Sequence, residues 1–438
     1  MDRRLPLIVV VCVAIGAACT GAPEPSVNLA ANDERNDDVL VLGTADGPML
    51  VDAATGEPLG DGAATLTAPD GSRLYTSTVD GAATSLVTHD AQTGEVVART
   101  RVDGRFDVRV ASVSGEVVAM MEPLPAGADP WTPIPRATTT IVVVDPSGER
   151  PDRHLTLDGN VEPEAFSADD RNLFLIQHLP AEAPSAYRVT FLDLESGRIQ
   201  PVRGRFKVPP QRMPGTRLLQ TFDPAKAQLY TLYTNEATAA DEAWDGGGGD
   251  GNGTYGNDGA YGHDADPGDV TFVHVLNLRN GWAFCAGVPR SSWGQPPRAL
   301  AMATSPDGSI LYLVDAIAGT IAEMDTRSLE IVRTHDVDLG SSGGVRTSAA
   351  VSADGRVLYV GSAVDGEAIH ALATDTFAAV GRWEVGADVH DLEVATDGER
   401  LYAALDAAIA LLDPDDGSTQ GAVPIGGVED LLHVWSRS

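Results

Sequence analysis

Six residues of chemically useful type, Glu162, Arg217, Arg298, Arg346, Asp388 and His390, stand five to seven positions ahead of tight turns that recur along the chain. Glu429 and Asp430 hold the matching place near the C-terminus. If those positions come together, they form a ring of mixed charge that offers donors and acceptors to a small polar ligand. The parts of a catalyst do not accompany them: there is no Ser-His-Asp elbow, no Cys-His pair, no glycine-rich phosphate loop and no spaced metal quartet. The ring therefore reads as a binding surface more readily than as an active site, and its plain alternative is a hydrated passage lined by satisfied ion pairs.

A second group of candidates lies in the glycine-rich stretch 239–269, with Asp250, Asp258, His263, Asp264 and Asp266. So many glycines exclude helix and regular strand, so the stretch reads as a solvated insertion. Its aspartates are hard oxygen ligands of the kind that hold calcium, and His263 suits zinc, but the spacing matches neither an EF-hand loop nor a nonapeptide repeat. Calcium and zinc are thus secondary expectations. His263-Asp264 and His390-Asp391 are the pairs worth testing, although a lone polar residue such as His390 at the start of a strand more often lines a wet channel. Cys285, within Trp282-Ala-Phe-Cys-Ala286, has no neighbour that would activate it and reads as a structural thiol.

The elements that must position these residues are written in an internal repeat. Ala68-Pro-Asp-Gly71 precedes Tyr75, Ser305-Pro-Asp-Gly308 precedes Tyr312, Ser352-Ala-Asp-Gly355 precedes Tyr359, and Ala395-Thr-Asp-Gly398 precedes Tyr402. Weaker copies run from Ser112 to Ala119, Ser167 to Phe174 and Asp223 to Tyr230. Each turn reverses the chain between strand-like flanks, and a second turn follows, as in Asp90-Ala-Gln-Thr-Gly94 and Asp193-Leu-Glu-Ser-Gly197. Two hairpins make a four-stranded unit that cannot bury its own faces. A single all-β propeller follows. The segment 39–56 lacks an inner strand and 428–434 is an inner strand with nothing after it, so together they complete one blade and close the ring from both termini. Seven copies plus the composite predict eight blades; the degenerate copies at Ser112 and Asp223 leave seven as the alternative.

Phrases such as Ser305-Pro-Asp-Gly-Ser-Ile-Leu-Tyr-Leu-Val314 and Ser352-Ala-Asp-Gly-Arg-Val-Leu-Tyr-Val360 resemble the YVTN-type, WD40-like propeller repeats of bacterial surface and secreted proteins. The resemblance covers nearly everything from Asp38 onward and implies the fold; propellers of this kind include binding scaffolds, metal chaperones and enzymes. The exported metal chaperones with eight blades use histidine clusters, whereas the nine histidines here are scattered.

Residues 1–18 are similar to a bacterial lipoprotein signal peptide: Arg3 and Arg4, an apolar run from Leu5 to Ala14, then Gly16-Ala-Ala-Cys19. That resemblance implies a lipid on Cys19 and a location in the cell envelope outside the cytoplasmic membrane; a plain secretory signal is the alternative. Residues 19–37 read as a flexible spacer and 38–438 as the propeller domain. With 30 basic and 63 acidic residues, a net charge of −33, the surface repels nucleic acid. The expected role is a binding or scaffolding module attached to the membrane by its lipid, with a metal chaperone or a channel-mouth enzyme as the alternative and the partner unspecified.

Overall fold

The computed structural model describes residues 36–45, 47–59, 66–125, 133–205, 213, 215–234, 271–292, 295–339, 346–361 and 367–436. Residues 1–35, and with them Cys19, and residues 235–270, with the five metal candidates of the glycine-rich stretch, lie outside them.

The recurring turn owes its sequence to a small set of side-chain bonds. In the copy at Ser305, the Ser305 hydroxyl donates to Asp307 Oδ1 at 2.7 Å and accepts the Ile310 amide at 3.0 Å, while Asp307 also accepts the Ser309 amide at 2.9 Å. The copy at Ser352 repeats this arrangement with Asp354 and the Val357 amide. These bonds hold the Asp307 carboxyl down at about 2, so it stays ionised as a structural acceptor. The fourth residue turns left-handed: Gly308 has φ 66°, and a Cβ there would meet Asp223 Oδ2 at 2.3 Å. The degenerate copy at Asp223 bends through Ala227 at φ 51°, so the turn survives there without glycine, with the strain that an alanine bears at positive φ.

Strand character follows coverage. Ile310–Asp315 and Thr320–Asp325 are buried nearly throughout because neighbouring sheets cover both faces, whereas Glu330–Asp336, at the rim, alternates exposed and covered. Eight sheets result. Their inner strands are Val428–Trp435 in blade 1, then Leu66–Thr67, Asp107–Ala111, Asn160–Phe166, Thr216–Asp223, Leu300–Thr304, Ser348–Val351 and Val389–Val394 in blades 2 to 8. The fold is an eight-bladed β-propeller. Both degenerate repeats form full blades, which disposes of the seven-bladed alternative.

Blade 1 is the expected composite: Val428–Trp435 pairs antiparallel with Val39–Thr44, which pairs with Met49–Asp52. Among the described residues its fourth strand is represented by a bridge between Val51 and Pro58. Blade 5 has a fifth strand, Arg203–Gly204, laid parallel on the edge of Trp282–Gly287, and Arg205 stacks over the Trp282 ring.

The core is divided among the blade interfaces. Eight apolar clusters occur among the described residues, each joining adjacent blades, and together they run round the whole ring. Blades 8 and 1 share Tyr402, Ile409, Leu411, Leu40, Leu42, Val428, Leu431 and Val434. The repeated tyrosine adds a polar latch at several of these boundaries. Tyr75 donates to the Gly115 carbonyl of blade 3 at 2.5 Å, Tyr359 to Pro414 of blade 8 at 2.8 Å, and Tyr402 to Asp38 of blade 1 at 2.6 Å. At Tyr75, Tyr359 and Tyr402 the residue seven positions after the start of the turn is therefore an inter-blade fastening, with an aromatic ring in the core and a hydroxyl on the next blade.

Candidate functional site: the mouth of the central channel

Inner strands bring the charged candidates to the axis, and β-bulges decide which way they face. Register shifts fall at Arg109 in blade 3, Glu164 in blade 4, Leu218 in blade 5 and His390 in blade 8. An extra residue breaks strict alternation and re-aims the side chains around it.

Blades 3, 4 and 5 build one side. Glu162 lies 3.8 Å from Arg136 Nη1 and 3.4 Å from His178 Nε2. Burial pushes the Glu162 carboxyl up, but His178, Arg136 and Arg109 together outweigh it and hold it below the usual carboxylate range. Glu164 accepts hydrogen bonds from Arg217 Nη1 at 3.2 Å and Gln220 Nε2 at 2.8 Å. Its burial prevails over both partners and raises its affinity for a proton.

Blades 7, 8 and 1 build an acidic side. Arg346 forms an ion pair with Asp430. Asp391 accepts the Leu431 amide of the closing strand at 2.8 Å and its neighbour Leu392 at 2.9 Å. Burial, with Asp430 adding to it, raises the Asp391 carboxyl to about 7; burial and the nearby Asp391 raise Glu393 to about 8. Both side chains keep some contact with water although protein encloses them, the situation of groups inside a narrow passage.

His390 bonds through Nε2 to Asp406 at 2.7 Å, so its partner is not the sequence neighbour Asp391. Arg298 is exposed in a short 3-10 turn, Pro297–Ala299, just before the inner strand of blade 6. Glu429 is exposed and Asp388 half-buried. The eight sequence candidates thus separate into the Glu162 and Arg217 groups, the Arg346–Asp430 pair, the His390–Asp406 pair and three side chains at the starts of their inner strands, Arg298, Asp388 and Glu429. Arg109, Arg136, His178, Glu164, Glu393 and Asp406 were missed. The alternation Glu162-Pro-Glu164 and Asp391-Leu-Glu393 was the available signal for two of them. Among the described residues no group of three or more His, Cys, Asp or Glu is placed to hold a metal ion. Cys285 is half-buried, its sulfur 3.2 Å from the Met213 sulfur.

The acidic side implies a pH dependence. Glu393 finds no hydrogen-bond partner among the described residues, and its folded value of about 8 lies above the ordinary 4.5. The stability linked to its protonation is complete below pH 4.5 and is lost as pH rises through 8. Glu393→Gln should flatten that decline and, with channel water softening the cost, stabilise the protein at alkaline pH by ~2 kcal/mol. Thermal melts of both proteins across the pH range check this; parallel profiles would refute it.

No protein-family model matches the chain, and no curated protein matches its sequence. Solved structures do match by fold. Dihydro-heme d1 dehydrogenase NirN, in complex with DHE, superposes with a TM-score of 0.52 at 15% identity, covering 94% of this chain and 79% of its own. Apo AztD from Citrobacter koseri gives 0.50 at 10% identity, covering 91% and 96%. At these identities the likeness is one of fold.

Proposed function

We propose that this protein is an exported, lipid-anchored β-propeller of the YVTN type that serves as a binding or scaffolding module at the bacterial cell envelope, with the mouth of its channel as the ligand face. The observation that carries the reading is the gathering of incompletely paired polar groups around Glu162, beside the start of the blade 4 inner strand. Arg136 Nη1, His178 Nε2 and Asn160 Oδ1 are buried there without hydrogen-bond partners. Buried polar atoms of this kind are costly in a purely structural surface and are useful where a ligand completes their bonds.

The address rests on residues 1–18 and Cys19. Cys19→Ser should leave an unprocessed precursor or release the protein into the medium; normal processing with unchanged membrane retention would sink the anchor. Native mass spectrometry of the envelope-purified protein should show the mass of the lipid and of any retained molecule. A protein that carries neither a small molecule nor a partner under these conditions would count against a binding role.

A further inference from the structure

The boundary between blades 3 and 4 holds an unusual set of groups for so acidic a protein. Asp107–Ala111 supplies Arg109 at its bulge, half-buried and without an ion pair or hydrogen bond among the described residues. The connection before Thr138–Val144 supplies Arg136, whose side chain is 16% exposed and whose Nη1 stops 3.8 Å short of Glu162. The second strand of blade 4, Asn172–Leu179, supplies His178, 12% exposed, at 3.4 Å from the same carboxylate and without the alignment of a hydrogen bond. Asn160, fully buried, spends its amide on the carbonyls of Ile134 and Ala181, leaving Oδ1 free to accept. Arg109 is close enough to Glu162 and Arg136 for each to act on its charge.

We infer that Arg109, Arg136 and His178, gathered around Glu162 and Asn160, form a site for a small organic monocarboxylate with a hydroxyl or ammonium donor beside the carboxylate. This rests on the reading of the channel mouth as the ligand face. Two guanidinium groups are forks that match the two oxygens of a carboxylate, and His178 Nε2 adds a third nitrogen. Glu162 and Asn160 Oδ1 are acceptors, so they call for a donor on the ligand next to its carboxylate. Charge selects the valence. Asp107 and Glu162 act on Arg109, and Glu164 acts on Glu162, so these carboxylates already offset the guanidinium charge and a ligand with one negative charge is accepted more readily than the doubly charged phosphate.

The experiment is titration calorimetry and thermal shift on the folded protein with glycolate, L-lactate and glycine, with acetate and inorganic phosphate for comparison. Glycolate, L-lactate and glycine should each bind more tightly than acetate, and phosphate least. Arg109→Gln and Arg136→Gln should each weaken binding at least about tenfold, whereas Arg356→Gln, at an exposed turn of blade 7, should leave it unchanged. If Arg109→Gln does not fold, Arg109→Lys replaces it, because lysine keeps the charge and loses the fork; the same loss of affinity is expected. Absence of carboxylate binding by the wild type up to about 50 mM, equal binding by the arginine variants, or a preference for phosphate would overturn the site. Should carboxylates fail while native mass spectrometry shows another retained molecule, the site is wrong and the binding role stands; should both be empty, both fall.

Discussion

Removal of residues 428–438 is expected to abolish the cooperative melt. The deletion takes away the whole inner strand of blade 1 and leaves Val39–Thr44 with an open edge on the channel side. It also empties the 8–1 interface of Val428, Leu431 and Val434, which are 3%, 4% and 0% exposed. At about 2 kcal/mol for each buried aliphatic side chain, that loss alone approaches the total stability of an ordinary domain. The ring gives the remaining blades no substitute, because each cluster is shared with a neighbour and an open ring exposes two blade faces. Calorimetry and size-exclusion chromatography should show a broad or absent transition and aggregation. An unaltered transition would mean that blade 1 is complete without the tail.

Asp38→Ala should be the most damaging single substitution at the seam, costing ~3 kcal/mol. Asp38 is 1% exposed and joins the ends of the chain: Tyr402 donates to its Oδ2 at 2.6 Å and Arg400 Nη1 lies 3.2 Å away. Asn36, also buried, donates to the Tyr402 hydroxyl at 3.1 Å, so the fold includes at least one residue of the stretch that sequence reading assigns to the spacer. Alanine removes the 2.6 Å acceptor and leaves the buried Tyr402 hydroxyl with Asn36 alone and the mostly buried Arg400 guanidinium with only the longer contact to Asp397. Asp38→Asn should cost far less at neutral pH. Burial outweighs Tyr402 and Arg400 and raises the carboxyl, so the charge itself is expensive and the oxygen is what matters. Urea melts of the two variants against wild type decide it; equal losses would show that charge, and not the acceptor, fastens the seam.

Much of the architecture was legible because it depends on local chemistry. A serine and an aspartate two residues apart bond the same few amides wherever they occur, so Ser305 and Ser352 announce hairpins without reference to the rest of the chain. Even the closing of blade 1 could be inferred, because an inner strand without followers and outer strands without a leader have one arrangement that pairs both. The composition of each strand followed from how many blade faces cover it.

The site was legible only in outline. Counting back from the turns reached the right end of each inner strand, and so found Glu162, Arg217, Arg346 and Asp430. It could not find the bulges at Arg109, Glu164 and His390, because a bulge is fixed by pairing with the neighbouring strand and shifts every later side chain by one position. Nor could spacing join Arg136 to Glu162, which come from different blades, or Asp406 to His390, which meet at the open end of one hairpin through the bulge. Turn and strand identity are properties of a few consecutive residues; the meeting of side chains at the channel depends on how eight blades pack around one axis, and that distance information exists only in the folded ring.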